Sequence, residues 1–282
     1  MDILVSPQIE RLIRDALDED IGAGDLATMA TIAADAQGKG LFRAKKDGVV
    51  AGLVLLERIF YFIDPKVQIH HFVKDGASVT AATVAAEAVG PVRALLLGER
   101  TALNFLQQLS GTATLTKKLV DAVKDFPCKV LDTRKTTPGL RTLQKYAVRM
   151  GGGTNHRIGL YDAALVKDNH IEATGSIGEA VKAVRRHAPF MAKVEVEAGS
   201  MKQVQEAIEA SADVIMLDNM TLPQMAEAVN FVNKRAWVEA SGGITLESIR
   251  QVAETGVDFI SSGALTHSAP VVDFNMKITM NV

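Results

Sequence analysis

The stretch AKVEVEAGSMKQVQEAIEASADVIMLDNM, residues 192–220, decides the fold class. Two short apolar runs, at 192–198 and 212–218, lie on either side of a segment at 200–211 whose apolar residues repeat at helical spacing. Strand, amphipathic helix and strand in this order are typical of a βαβ unit with parallel neighbouring strands. The stretch therefore predicts one repeat of an α/β fold.

The same alternation continues along the chain on both sides of this stretch. Further apolar runs stand at 128–133, 163–168, 236–241 and 257–262, and helical spacing recurs at 176–187, 222–233 and 245–255. Six apolar runs separated by helices indicate a parallel sheet that curves into an α/β barrel.

The residues before about 112 follow a different pattern. A helix is predicted at 6–18 and another at 58–64, and the turn signals KKDG and VKDG separate short β-rich segments. Residues 78–97 predict strands broken by Gly-Pro, and the segments 99–111 and 114–126 predict two helices punctuated by Gly111. This half is typical of an α+β domain with antiparallel strands.

Composition excludes several classes of protein. The chain has 282 residues, a formal net charge of −2 and 23% charged residues, so it lacks the basic excess of a nucleic-acid-binding domain. Its one cysteine, Cys128, permits no internal disulfide and fits a reducing compartment. The start of the sequence lacks the layout of a signal peptide, and the apolar stretch 48–56 is too short to span a bilayer. We therefore predict a cytoplasmic protein that binds neither nucleic acid nor membrane.

Polar residues gather where the six apolar runs end. Arg134 and Lys135 follow the first run, Lys167 ends the second, Glu195 and Glu197 lie in the third, Asp218 ends the fourth, and SGG at 241–243 and SGA at 262–264 end the last two. The carboxyl ends of barrel strands meet at one mouth, where active sites lie. The pattern therefore predicts a single site that collects all of these residues.

The segment 132–157 concentrates positive charge, with six Lys or Arg residues and one acid. Arg141, Lys145 and Arg149 are spaced by four, and we interpret them as a solvated stripe on a helix. The mouth has other cations, and His156 and Arg157 follow a run of glycines. These residues can be interpreted either as members of structural ion pairs or as a binding site for a ligand with several negative groups.

The acidic residues of the mouth also have two readings. Glu197 and Asp218 either pair with the cations or hold Mg²⁺, which commonly takes one or two carboxylates together with substrate phosphates. Glycine turns after the last two strands are typical of a barrel phosphate site. Glycosyl transfer from an activated sugar phosphate is among the reactions that join such partners.

Several longer motifs resemble those of the quinolinate phosphoribosyltransferase family. They are DTRKTTPGLR, GGGTNHRIGLYDAALVKDNHI, KVEVEA, IMLDNM, EASGGI and ISSGALTHS, with GERTALNFLQQLSGTAT and EDIGAGDLAT nearer the start. The resemblance covers nearly the whole chain in order. It implies that quinolinate and phosphoribosyl pyrophosphate give nicotinate mononucleotide, pyrophosphate and carbon dioxide, with Mg²⁺, on the route of de novo NAD synthesis.

The resemblance also implies an architecture and residue roles. The fold would be an N-terminal α/β sandwich domain (1–112, rejoined by 268–282) and an incomplete TIM-like α/β barrel (113–267), in a homodimer. Arg134, His156, Arg157 and Lys167 would hold quinolinate, and Arg100 would reach the neighbouring subunit's site. Thr133 and Lys135 would contact substrate, with Lys135 near both substrates. Glu197 and Asp218, with Glu195 as the alternative to Glu197, would meet the ribose and the metal, directly or through water. Phosphate would be cradled by Ser241, Gly242, Gly243, Ser262, Gly263 and Ala264.

Three other functions stay open at this point. Lys167 could act as the Schiff-base nucleophile of a barrel lyase or aldolase. The chain could be a relative with an altered substrate, such as the homologues associated with molybdenum transport. It could also be a non-catalytic binding protein on the same fold, because a fold alone does not decide function.

Overall fold

A computed structural model describes residues 6–280, which divide into two compact units. Among the described residues, the first unit comprises 6–117, 137–152 and 268–280, and the second comprises 118–136 and 153–267. Residues 1–5 of the predicted first domain, and the last two residues of the predicted segment 268–282, lie outside the described residues.

The second unit contains the parallel sheet that the sequence predicts. Its strands are β6 (Lys129–Leu131), β7 (Ala164–Val166), β8 (Val194–Ala198), β9 (Val214–Asp218), β10 (Trp237–Ser241) and β11 (Phe259–Ser261). They pair in parallel in the order β6-β11-β10-β9-β8-β7, so β6 and β7 stand at the two ends of the order. The sheet is thus an α/β barrel that is not closed, which confirms the predicted fold class.

Helices follow the strands as the spacing predicts. They are α6 (Asp168–Thr174), α7 (Ile177–His187), α8 (Met201–Glu209), α9 (Leu222–Val232), α10 (Ile249–Glu254) and α11 (Ala264–His267). The hydroxyls of Ser176 and Ser200 accept hydrogen bonds from Glu179 N and Gln203 N and so cap α7 and α8. The helices cover one face of the sheet, where alternate strand residues such as Val196, Ile215 and Val238 are buried.

The first unit is built on an antiparallel sheet. Its elements are α1 (Pro7–Ile21), α2 (Leu26–Thr31), β1 (Gln37–Ala44), β2 (Gly48–Val49), α3 (Leu56–Ile63), β3 (Gln68–His71), β4 (Ser78–Val79), β5 (Val84–Pro91), α4 (Val92–Ala122, whose end belongs to the second unit), α5 (Arg141–Met150) and β12 (Phe274–Met280). Four strands pair in the order β12-β1-β5-β3. Helices α1, α3 and α4 bury Ile13, Phe60 and Leu106 in its core, where the rings of Phe42 and Phe60 meet edge to face.

Helix α4 corrects two predictions. The residues after Gly90-Pro91 are helical from Val92, not strand, and one helix runs through Gly111 to Ala122 instead of two. A Cβ at Gly111 would overlap the carbonyl oxygen of Pro270, so this glycine permits close contact between two segments and does not end a helix. Within residues 6–280, no helix is long and apolar enough to cross a membrane.

We expect Gly111→Ala to destabilise the protein by about 1–3 kcal/mol, because the added methyl group meets backbone that cannot rotate away. Gly178→Ala is the matched control, since it also lies in a helix but a Cβ there would meet only the Ser176 hydroxyl at 3.9 Å. Urea unfolding of the two variants measures the difference. Equal midpoints would contradict the contact with Pro270.

Helix α5 corrects the interpretation of the basic stripe. Arg149 is exposed, but Lys145 is only 1% exposed. The spacing by four is present, but a buried residue stands in the middle of the stripe, so it is not a solvated surface.

Candidate active site

The lumen of the open barrel is hollow at the ends where the strands finish. Side chains that alternate with those packed on the helices point into it, as the pleat of a strand requires. A cavity of about 230 Å³ is lined there by Thr133, Arg134, Lys135, His156, Arg157, Leu165, Lys167, Glu197, Met216, Asp218, Glu239, Ser241 and Ser261. Nine of the residues predicted for the site therefore lie around one cavity.

Two arginines form the positive wall of this cavity. Burial, followed by the nearby charge of Arg134, lowers the pKa of the Arg157 guanidinium from its usual value. Arg157 Nη1 donates to the carbonyl oxygen of Ala163 at 3.2 Å, and Asp162 accepts from the backbone nitrogens of Ile158 and Gly159. The carboxylate of Asp162 thus folds back the loop that follows Arg157. This fold holds the Arg157 guanidinium at the cavity.

His156 is anchored by a buried carboxylate. Asp132 is fully buried, and its two oxygens accept from the Asn155 side-chain nitrogen at 2.6 Å and from His156 N at 2.9 Å. These bonds tie the segment after the glycine run to the end of β6, so that residues distant in sequence meet at the cavity.

Both ring nitrogens of His156 are engaged by protein atoms. Nε2 lies 2.9 Å from a carboxylate oxygen of Glu195 and 3.4 Å from one of Glu239, while Nδ1 accepts a hydrogen bond from Arg157 N at 2.7 Å. The three side chains, which we call the carboxylate floor, lie below the cavity with Glu195 and Glu239 almost completely buried. Their ligand atoms stand within 4.8 Å of one another, as in some metal sites, but the hydrogen bonds account for this arrangement.

The carboxylate floor retains a proton. Burial opposes a charge on His156, but hydrogen bonds and charges of Glu195 and Glu239 outweigh it and raise the pKa of His156 to about 10. Burial also raises the pKa of Glu195, with the hydrogen bond from His156 opposing that rise. His156 and Glu195 therefore hold this proton between them.

Stability should consequently fall as the pH rises. The folded protein keeps this proton to about pH 10, whereas an unfolded histidine loses it near the usual histidine pKa of 6.5. The folded state therefore binds more protons in this range, so the floor's full contribution is present below pH 6.5 and is lost towards pH 10. Unfolding free energies across this range should decline, and less steeply in His156→Gln. An identical slope in both proteins would contradict the shared proton.

The opposite wall of the cavity is acidic. Lys167 Nζ, at the end of β7, donates to a carboxylate oxygen of Glu197 at 2.7 Å, and Asp218 accepts from the Asn219 side chain at 3.0 Å. Glu197 and Asp218 lie at the carboxyl ends of neighbouring strands and both line the cavity at the same mouth. Glu195 instead belongs to the carboxylate floor.

Turns complete the mouth after β10 and β11. The hydroxyl of Ser261 donates to that of Ser241 at 3.0 Å, and Thr266 donates to the carbonyl oxygen of Lys135 at 2.8 Å. Gly242 has a φ of +100°, and a Cβ there would overlap the side chain of Asn219, so only glycine fits. The remaining residues predicted for phosphate, Gly243, Ser262, Gly263 and Ala264, lie in these same two turns. Arg100 is exposed on α4 in the first unit.

The sequence analysis missed two residues that shape the site. Asp132 organises the segment with His156, and Glu239 forms part of the floor. Glu239 could have been found from strand alternation, because it lies two residues from Ser241 and so shares its face. Asp132 offered no such signal.

Comparisons with known proteins agree over nearly the whole chain. The family models for the N-terminal and C-terminal domains of quinolinate phosphoribosyl transferase match residues 25–110 and 112–277. A relative from Synechocystis sp., described as a probable nicotinate-nucleotide pyrophosphorylase (carboxylating), is 45% identical over 99% of this chain and 94% of its own. A Bacillus subtilis relative of the same description is 46% identical over 97% of this chain and 94% of its own.

Solved structures give the same result. The crystal structure of NadC from Streptococcus pyogenes has a TM-score of 0.95 with this chain, at 44% identity and 99% coverage of both chains. A nicotinate-nucleotide pyrophosphorylase from Francisella tularensis has a TM-score of 0.93 at 40% identity, covering 98% of this chain and 99% of its own. By its sequence, its fold and the family models that it matches, the chain belongs to the quinolinate phosphoribosyltransferase family.

Proposed function

We propose that this protein transfers the phosphoribosyl group of phosphoribosyl pyrophosphate to quinolinate with decarboxylation, which yields nicotinate mononucleotide, pyrophosphate and carbon dioxide for de novo NAD synthesis. The observation that carries the proposal is the cavity of the second unit, where Arg134, Arg157 and Lys167 converge opposite Glu197 and Asp218. Among its relatives, those from Synechocystis sp. and Bacillus subtilis are named for this activity.

The positive wall matches the charge of quinolinate. This substrate carries carboxylates on adjacent ring carbons, and guanidinium groups bind carboxylates through paired hydrogen bonds. Because the charge of Arg134 contributes to the lowered pKa of Arg157, a bound dianion would relieve the repulsion between the two guanidinium groups. Fixing both carboxylates orients the ring nitrogen towards the anomeric carbon of the sugar, and such orientation lowers the barrier by several kcal/mol.

His156 contributes indirectly to the binding of quinolinate. Since its ring nitrogens already contact Glu195, Glu239 and the backbone of Arg157, it positions the neighbouring guanidinium and borders the ring of the substrate. Lys135, at the mouth beside Thr133, lies between the cations and the turns and would meet both substrates.

The acidic wall suits Mg²⁺ and the ribose. The donors that Glu197 and Asp218 keep at the mouth are hard carboxylate oxygens, the type that Mg²⁺ prefers. We propose that these residues hold the ion, directly or through water, together with oxygens of phosphoribosyl pyrophosphate. When bound, Mg²⁺ neutralises charge on the departing pyrophosphate.

Side chains and backbone groups of the protein stabilise the sugar and the phosphate during the transfer. The transition state of such transfers has oxocarbenium character, and the carboxylates of Glu197 and Asp218 stabilise positive charge on the ribose. The turns 241–243 and 262–264 offer backbone N–H groups to phosphate. After transfer, the C–C bond to the adjacent carboxylate breaks, carbon dioxide leaves, and the positive ring nitrogen stabilises the carbanion that remains. The carbanion then takes a proton from solvent.

The ion pair of Lys167 disfavours the lyase alternative. A Schiff-base nucleophile must present its nitrogen to a carbonyl carbon, but Lys167 Nζ is already engaged in a hydrogen bond to Glu197 at 2.7 Å. We propose that Lys167 instead binds a substrate carboxylate while it orients Glu197.

We also propose a cytoplasmic homodimer in which Arg100 enters the partner's site. Arg100 is exposed on α4, and it is a cation available for a further contact with a dianionic substrate. The single cysteine of the chain, Cys128, is buried and unpaired, as suits a reducing compartment.

A product assay tests the proposed function. The purified protein is mixed with phosphoribosyl pyrophosphate, Mg²⁺ and either quinolinate or nicotinate, and nicotinate mononucleotide is followed by chromatography. We expect product from quinolinate alone, and none after Mg²⁺ is chelated. Product from nicotinate would overturn the two-carboxylate assignment, and no product from either would indicate a relative with another substrate.

A further inference from the structure

The barrel lumen contains a second cavity at the opposite ends of the strands. It has a volume of about 310 Å³, within the range of small-molecule sites. Its lining includes Lys129, Lys193, Glu195, Trp237, Glu239 and Phe259. Trp237, Val214 and Phe259 begin their strands, so this back cavity opens on the side away from the site described above.

The wall of the back cavity is aromatic and its rim is basic. The rings of Trp237 and Phe259 lie edge to face with centroids 5.2 Å apart, and Lys193 Nζ stands 4.1 Å from the centre of the indole ring. Lys129, at the start of β6, adds a second exposed cation. Although Trp237 lies at a cavity, 47% of its surface is exposed, so a flat ring could be stacked there with a large gain of buried apolar area.

The inner end of the back cavity has the opposite chemistry. Glu195 and Glu239 line it, and each has one buried carboxylate oxygen, Oε1, without a hydrogen-bond partner. A buried carboxylate oxygen without a partner is costly, so this end of the cavity favours a group that donates hydrogen bonds. Because these residues are 95% and 99% buried, the donor must enter through the cavity.

We propose that the back cavity binds a purine nucleotide that carries an exocyclic amino group, with the base inside and the phosphate at the rim. The amino group donates to the unpaired oxygens of Glu195 and Glu239, the base stacks on Trp237 and Phe259, and the phosphate pairs with Lys193 and Lys129. Along the ligand, the amino group, the flat base and the phosphate follow one another. The cavity presents their partners in the same order, namely the carboxylates, the aromatic rings and the lysines.

The back cavity shares a wall with the active-site cavity. His156, Arg157 and Glu239 line both. A ligand that donates to Oε1 of Glu239 draws charge from the carboxylate whose Oε2 lies 3.4 Å from His156 Nε2, and thereby changes how His156 supports Arg157. Binding at the back cavity therefore changes affinity at the active site, and linkage requires the reverse effect to be equal.

The chain carries its own probe for this site, since Trp237 is its only tryptophan. We expect adenosine 5′-monophosphate to change the tryptophan fluorescence in a saturable manner, with a Kd below about 1 mM. Inosine 5′-monophosphate, which replaces the amino group by a carbonyl, should bind at least about tenfold more weakly, because that oxygen faces carboxylates. Adenosine and ribose 5-phosphate, which each lack one end of the ligand, should bind less tightly than the intact nucleotide.

Variants separate this binding from other sites. Lys193→Ala should weaken the affinity for adenosine 5′-monophosphate about three- to tenfold but leave that for adenosine little changed. Lys182→Ala, which removes an exposed lysine of α7 from an ion pair with Glu179, is the matched control and should bind normally. A fluorescence signal that does not saturate, or equal affinities for the adenine and inosine nucleotides, would overturn the proposal. These measurements need no activity, so they stand apart from the proposed reaction.

Discussion

Replacing Arg134 with alanine is expected to lower kcat/KM for quinolinate about a hundred- to a thousandfold. Arg134 lines the active-site cavity, and its charge, after burial, contributes to the lowered pKa of Arg157. Its removal takes away one of the two guanidinium groups that a dianionic substrate would neutralise. Steady-state rates at saturating phosphoribosyl pyrophosphate, with quinolinate varied, measure the loss.

Two further variants make the result specific to Arg134. Arg134→Lys keeps the charge but loses the planar fork, so it should fall between the alanine variant and the parent protein. Arg186→Ala removes an exposed arginine on α7 and should retain full activity. If Arg134→Ala folds normally and keeps its kcat/KM, the proposed contact with quinolinate is wrong.

The second large effect is expected from Glu197→Gln, which should lower kcat about a hundredfold or more at saturating quinolinate. The substitution keeps the shape of the side chain but removes the charge that faces Lys167 and the proposed Mg²⁺ site. Half-saturating Mg²⁺ should rise as well. An unchanged requirement for Mg²⁺ would remove Glu197 from the metal site.

Glu195→Gln is the matched comparison, because the two glutamates lie two residues apart on the same face of β8. Glu195 contacts His156 in the carboxylate floor and not Lys167. We therefore expect this variant to leave the Mg²⁺ requirement unchanged while it alters the pH dependence of stability. Exchanged phenotypes would mean that Glu195 is the metal-binding residue.

The strand–helix alternation of the second half was predictable because the secondary structure of each element there is determined by its own residues. Buried strands such as 214–218 read as apolar runs, and the helices between them carry an apolar stripe. Because the polar residues stand at the strand ends, the barrel topology alone predicts that Arg134, Lys167 and Asp218 meet at one cavity.

The failures have tertiary causes. Gly111 indicates a helix end when only neighbours in sequence are considered, but its lack of a side chain accommodates Pro270, which lies far along the chain. Lys145 has the spacing of a surface stripe, but it is buried in the folded protein. The carboxylate floor was not predicted, because a glutamate within an apolar strand can belong either to the protein core or to a functional site. Only the position of His156 decides between the two.

The pairing of β12 with β1 has a consequence for how the protein is made. β1 ends at Ala44 and its partner begins at Phe274, so a ribosome must add residues 45–273 before this pair can form. At bacterial or eukaryotic rates of translation, that interval is roughly ten to fifty seconds. During it, one edge of β1 is open to other nascent chains, and Lys39 and Arg43 on that strand supply the charges that discourage such association. Chaperone dependence should therefore increase when both are replaced by neutral residues, even though the finished fold hardly changes.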